Sequence, residues 1–347
     1  MDIIKNKEID SYIDECKNNI SINNQIQNEI NEYSGVPGGL KNIADDEILL
    51  FKIQKLGYKE DSFLMDEKEL TENEYYKNIS FKEIKSHPFY YKKDVMPPKT
   101  LLNMSWLIEN ERCMDDSYVY GYFNKSVDIP VLIEKMEKGH KLWMSPTIAE
   151  QRTMKEALDK ATGNILTFGL GIGYYPYMTS LKDNVTSITI IERDKRVIEM
   201  FKEFILPQFD LECRNKIKII EGNAFDYFNK DFIDKFDYTF VDIWEDNEAG
   251  LDLMEKLLEQ YNPKDNVDYW IENTLTYPIR LLILIYIDTK INGSITDMIN
   301  SFDGENYRWM KKIHKYMRNL DMTVDTKEQL KTLIYDKNII REILSNK

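Results

Sequence analysis

Read from the amino end, apolar positions first recur at helical intervals. Ile9, Ile13, Ile22, Ile26 and Ile30 precede the turn residues Ser34-Gly35-Val36-Pro37-Gly38-Gly39, a pattern that predicts helices followed by a loop. From Ala44 to Met114 the pattern is mixed and mostly helical, interrupted by Pro88 and by Pro97-Pro98, which cannot donate to a helical ladder. Between Ser117 and Met144 the character changes. SYVYGYF, IPVLIE and HKLWM are aromatic and β-branched segments separated by turn residues, as in a small antiparallel sheet. Ser145-Pro146 and the capping pair Thr147 and Glu150 then open a helix. Its Met154, Ala157, Leu158 and Ala161 follow the i, i+3, i+4, i+7 rule as far as Gly163.

The next stretch alternates apolar runs with helical periodicity, the order that builds a parallel sheet. NILTFGL reads as a buried strand, followed by a glycine turn and a helix from Tyr174. SITIIE is a second strand, and its helix carries Val197, Met200, Phe201 and Phe204 before Pro207. IKIIEG and FDYTFVDI follow as third and fourth strands, then a helix with Leu251, Met254, Leu257 and Leu258, then VDYWIE from Val267 to Glu272 as a fifth. Beyond Tyr277 the periodicity is helical, with Trp309, Met310, Ile313 and Met317 in one segment and Leu330, Leu333 and Ile334 in another. The expected organisation is therefore a mainly helical region over 1–116, an antiparallel β segment over 117–144, a Rossmann-like α/β domain over 145–275 with helices on both faces of its sheet, and a helical extension over 276–347.

Composition narrows the partners. A chain of 347 residues with 42% hydrophobic and 31% charged positions is long enough for two domains and ordinary for a globular protein. The net charge of -14 argues against a broad nucleic-acid footprint, which needs clustered Lys and Arg, and leaves room only for a local basic groove. Nucleic acid is not expected as a partner; a small-molecule substrate is, with self-association open. Cys16, Cys113 and Cys213 show no CxxC spacing, and His87, His140 and His314 stand far apart, so neither a disulfide framework nor a metal centre is indicated. The charged start MDIIKNKEID and the shortness of the most apolar run, Leu281 to Ile287, point to a cytoplasmic protein with no membrane span.

The chemistry concentrates after the first strand of the alternating stretch. Gly169, Gly171 and Gly173 stand where a ligand must approach the backbone closely and a helix begins. Such turns also serve purely to pack a strand on a helix. Glu192 ends the second strand, where an acid can accept both hydroxyls of a ribose, so an adenosine-containing ligand is indicated. The dinucleotide fingerprint wants Gly or Ala where Tyr174 stands, which makes a nicotinamide cofactor the weaker option.

With these residues in place, the chain resembles the class I S-adenosylmethionine (SAM)-dependent methyltransferases over roughly 145–275. LTFGLGIG is similar to their first motif, TIIERD to their second, IIEGNAFDYF to their third and FDYTFVDIWED to their fourth. The flavour is that of the spermidine-synthase-like branch. The resemblance implies SAM as cofactor, with Gly169, Gly171 and Gly173 lining its methionine and ribose portion and Glu192 on the ribose hydroxyls. Arg193 would flank the adenine, and Asn223, with Ala224 beside it, would meet the adenine amino group. Asp242, at the end of the fourth strand, would lie close to both cofactor and reacting centre, with Glu245 as a second candidate base and Asp246 beside it. Asn223 has a second reading as a turn or helix cap, and Glu245 and Asp246 read equally as an exposed acidic loop. Thr167 stands where the family usually has an acid for the methionine amino group, no NPPY-type motif follows Asp242, and no final antiparallel strand pair follows Glu272.

Trp143, Tyr174, Tyr175, Tyr177 and Trp244 fall near the same rim and read either as a stacking surface or as packing. Glu150 and Gln151, on the entering helix, are further candidates to reach the cofactor. Two other functions stay open: an aminopropyltransferase of polyamine metabolism, against which the missing Pro-Gly-Pro after DIWED counts, and a non-catalytic SAM-binding module.

Overall fold

The computed structural model describes residues 1–34, 41–42, 64–85, 88–98, 100–103, 114, 120–245, 247–263 and 265–346. Its centre is a five-stranded, all-parallel sheet made of β1 (Gly163–Phe168), β2 (Val185–Glu192), β3 (Ile217–Glu221), β4 (Tyr238–Val241) and β5 (Val267–Tyr269), in the spatial order β3-β2-β1-β4-β5. A parallel sheet needs cover on both faces, so its strands are apolar on both sides. Ile165, Ile188, Ile190 and Phe240 face one core, with Met154 and Ala157 and the helices that follow β1 and β2. Leu166, Phe168, Ile191 and Val241 face the other, with the helix Asn247–Gln260 and the C-terminal helices.

The C-terminal layer is larger than an extension. The helices Tyr277–Asn292, Gly304–Asn319, Lys327–Tyr335 and Lys337–Ser345 pack together behind the sheet. The N-terminal helix Lys7–Ser34 joins them, burying Ile9, Tyr12, Ile13 and Cys16 in the same core. Asp2–Ile3 pairs in parallel with Thr323–Val324. The start of the chain therefore packs with its end.

Three sequence expectations change. The helical reading of 44–114 holds only for the short helices Glu67–Thr71 and Glu74–Asn78, because Phe89–Met96 and Thr100–Asn103 are strands; 43–63 and 104–113 lie outside the described residues. Phe89–Met96 supplies the third strand of the antiparallel sheet, pairing with Val127–Lys135, which pairs in turn with His140–Met144. Among the described residues, SYVYGYF contributes Tyr120–Gly121 to a different sheet. Finally, β5 stops at Tyr269 and does not reach Glu272. Trp270 N–H makes the last bond to Val241 O (2.8 Å), and Ile271 turns into the left-handed region at φ 50°, an uncommon conformation for a β-branched residue that releases Glu272 from the sheet direction.

Among the described residues no helix is long and apolar enough to cross a membrane.

Candidate active site at the carboxyl ends of the strands

In the order β3-β2-β1-β4-β5 the connections leave β1 in opposite directions, and the gap between the carboxyl ends of β1 and β4 is the topological switch point where open α/β sheets bind ligands. The glycine turn and Asp242 meet there. Asp242 N–H donates to Phe168 O (2.8 Å), and a Cβ on Gly169 would lie 1.8 Å from Asp242 O. Gly169, Gly171 and Gly173 all take positive φ, which favours glycine. Their surroundings differ, however. At Gly173 a Cβ would collide with the Phe201 ring at 2.3 Å, so Gly169 and Gly173 are required by packing whatever binds. At Gly171 a Cβ would meet only the flexible end of Met144, at 3.1 Å. Met144 ends the strand His140–Met144, so the antiparallel sheet roofs the turn.

Glu192 ends β2 and holds this turn in place. One carboxylate oxygen accepts from Asp194 N–H (2.7 Å) and the other from Leu170 N–H (3.0 Å). Each oxygen keeps a lone pair for a further donor. Burial pushes the Glu192 carboxyl above its ordinary range. Asp242 is shifted in the same direction, well up, by burial first and then by the charges of Glu150 and Glu192 beside it. Glu150, on the helix Ile148–Thr153, is pushed up to about 7 by burial. Its backbone N–H is the one capped by the Thr147 hydroxyl (3.3 Å).

Glu150 and Glu192, from two other elements, thus lie close enough to Asp242 for their charges to act on it. Among the described residues, none of them has a Lys or Arg within ion-pair distance. Their sequence neighbours add unmet donors. Gln151 and Trp244 are both 6% exposed, and neither Gln151 Nε2 nor Trp244 Nε1 finds an acceptor. Buried donors without partners are rare and costly, and they are best explained by a missing acceptor.

The other proposed site residues are placed less favourably. Asn223 caps the helix Ala224–Tyr227, its Oδ1 accepting from Phe225 N–H (3.2 Å), so the cap reading is the one the structure makes, with Ala224 buried behind it. Arg193 is exposed. Glu245 is exposed at the surface and ion-paired with Lys141 on the antiparallel sheet. Asp246 lies outside the described residues. The aromatic rim is packing. Tyr174 and Tyr177 stand edge-on to Tyr75 at 5.3 and 5.5 Å, Tyr175 lies on Phe240 at 4.5 Å, and Trp143 lies on Phe89 at 4.4 Å. Trp244 stacks on Tyr269 with its indole N–H unmet. Tyr75, which the sequence reading passed over, fixes the glycine turn by donating its hydroxyl to Ile172 O. Among the described residues no group of three or more His, Cys, Asp or Glu is disposed to hold a metal.

The fold and this crevice define a doubly wound, Rossmann-like α/β protein. No protein-family model matches the chain, and no curated protein matches it. Solved structures do. A spermidine synthase from Thermotoga maritima is similar at 15% identity over 43% of this chain and 59% of its own, with a TM-score of 0.29. The methyltransferase domain of the bacterial protein CtHen1-CN is similar at 18% identity over 32% of this chain and 57% of its own, with a TM-score of 0.24. The chain thus spans less than two thirds of either structure, and at these scores neither likeness adds to what the sheet itself shows.

Proposed function

We propose that the chain is a SAM-dependent methyltransferase acting on a small-molecule acceptor. The observation that carries this reading is the unpaired trio Glu150, Glu192 and Asp242 at the switch point. Carboxylates this crowded need either protons or a cation, and SAM brings a sulfonium and an ammonium in one molecule. The residues present fit such a group in a further way: Gln151 and Trp244 hold donors with no acceptor. In this reading Glu192 accepts from the ribose hydroxyls on the lone pairs its backbone bonds leave unused. Glu150 replaces the acid absent at Thr167 and faces the ammonium. Asp242 orients the acceptor and takes its proton. When bound, the cofactor supplies a methyl group on a good leaving group, so the protein has mainly to align the acceptor and keep water out.

A second reading, aminopropyl transfer to a polyamine, is favoured by the same acidity, which suits a substrate with several ammonium groups. Calorimetry and product analysis test both. The chain should bind SAM or its demethylated product, and Glu192→Gln should weaken that binding about 10- to 100-fold, the range for losing charge-assisted bonds to buried hydroxyls. NADH binding with no SAM binding would overturn the proposal. Turnover of decarboxylated SAM, with none of SAM, would select aminopropyl transfer.

A further inference from the structure

The helix Gly304–Asn319 carries a charge opposite to that of the protein. Its sequence GENYRWMKKIHKYMRN holds five Lys or Arg against one carboxylate, Glu305, in a chain of net charge -14. The two faces of the helix are sharply divided. Trp309, Met310, Ile313 and Met317 are buried against the C-terminal core, and Lys312 is turned inward onto Glu255 and Glu259 at 2.7 and 2.6 Å. Arg308, Lys311, Lys315 and Arg318 stand exposed at i, i+3, i+7 and i+10, one stripe about 15 Å long at the helical rise of about 1.5 Å per residue. They line an open groove of about 650 Å³ together with Tyr307 and His314.

Arg308 has a partner in Glu255 (2.8 Å), whereas no described carboxylate lies within ion-pair distance of Lys311 or Arg318. Lys290, on the helix Tyr277–Asn292, adds its positive charge at His314. Burial, and then the charges of Arg318 and Lys290, lower the pKa of His314, whose Nδ1 lies 3.1 Å from the Tyr286 hydroxyl.

We propose that this face binds the sugar-phosphate backbone of a single-stranded nucleic acid. The proposal stands apart from the reading of the switch-point crevice and reverses, for one face, what net charge predicts for the whole surface. A linear row of cations is the electrostatic complement of a phosphate chain. Tyr307 selects single strands. It is 38% exposed, with Lys311 Nζ held 5.2 Å from its ring centre, and an exposed ring beside a basic track is a platform on which an unpaired base stacks and a duplex cannot. An anionic membrane is a poorer match, because on this stripe Tyr307 is the only large apolar side chain exposed to enter a bilayer surface.

The test is fluorescence anisotropy with labelled 12-nucleotide oligo(U), oligo(dT) and a duplex of the same length, on the full chain and on Lys311→Glu/Lys315→Glu/Arg318→Glu. These side chains are exposed, so a folded variant is expected, with circular dichroism as the check. Both single strands should bind at 50 mM salt, with log K falling against log salt at a slope near about -3, as expected for some four phosphate contacts. The triple variant should lose tenfold or more, and Tyr307→Ala should lose at least fivefold on single strands while leaving any duplex binding unchanged. A preference between oligo(U) and oligo(dT) identifies the natural strand. No binding by the wild type, equal binding by the triple variant, or capture by phosphatidylserine vesicles without capture by oligonucleotides would each overturn the proposal.

Discussion

Two groups of acids, one buried and one half-buried, sit in the same molecule and are treated differently. In the C-terminal layer, Glu255 is 1% exposed and paired with Arg308 and Lys312 at 2.8 and 2.7 Å, and Glu272 is 4% exposed and gripped by Arg341 through two bonds of 2.7 and 2.6 Å. Arg341 also donates to Val267 O (3.0 Å) and lies over the Tyr269 ring, tying the last helix to β5. At the switch point, Glu150, Glu192 and Asp242 crowd together with no cation supplied by the described protein. A buried charge is tolerable when paired, and where the fold leaves acids unpaired the counter-charge is left to a proton or a ligand. Pairing separates the acids that build from the acids that bind.

The sharpest way to break that comparison is to remove a cation from the paired group. Arg341→Met should leave the Glu272 carboxylate buried alone and lower the unfolding free energy by about 3 to 5 kcal/mol, read from urea denaturation. Adding Glu272→Leu should restore most of it. A small loss in the single variant would mean that Glu272 is no more constrained than the switch-point acids.

Asp242→Asn probes the unpaired group. It keeps the shape of the side chain and removes a charge that burial and two neighbouring acids already disfavour, so the fold should be undisturbed or slightly firmer. If Asp242 takes a proton from the acceptor, turnover should fall about 100-fold or more, with cofactor affinity little changed. Loss of affinity with turnover retained at saturation would make Asp242 a cofactor ligand.

Glu150→Gln should give the smallest effect and the most diagnostic pH dependence. An acid whose folded pKa is raised favours the folded state at low pH, and that contribution is lost as pH rises from about 4.5 to about 7. The variant should therefore match the wild type at pH 4 and melt roughly 2 to 4 °C higher at pH 8. A cationic ligand draws the same acids back down, so binding near pH 6.5 should release protons, measurable as a buffer-dependent calorimetric enthalpy, and the release should shrink in Glu150→Gln. A pH-independent difference between variant and wild type would place Glu150 outside the trio.

What was legible in the sequence follows the range of the forces involved. The five parallel strands were readable because cover on both faces makes them near-continuous apolar runs, as in NILTFGL. Gly169 and Asp242 were readable because each ends a strand, and strand ends are local. Phe89–Met96 was not, since its FYYKKDVM carries Lys92, Lys93 and Asp94 on an exposed stretch and becomes a strand only through eight residues of pairing with Val127–Lys135. Asn223 takes the cap that was one of its two readings, and Glu245 meets Lys141, a partner 104 residues away that only the fold brings to it. The weight of Glu150 was hidden because its burial, and its reach to Asp242 on another element, come only with the fold.

The parallel pairing of Asp2–Ile3 with Thr323–Val324 has a consequence in time. Asn6 Nδ2 donates to Asp325 O across 319 residues of sequence, and closing a loop of that size costs about 5 kcal/mol of chain entropy before any contact repays it. On a ribosome adding about 5 to 20 residues per second, the stripe Ile9, Tyr12, Ile13 and Cys16 emerges roughly 15 to 60 seconds before the helix Lys327–Tyr335 that helps to cover it. The helix Lys7–Ser34 thus waits for part of its cover, and for that interval its apolar face is open to whatever binds nascent chains.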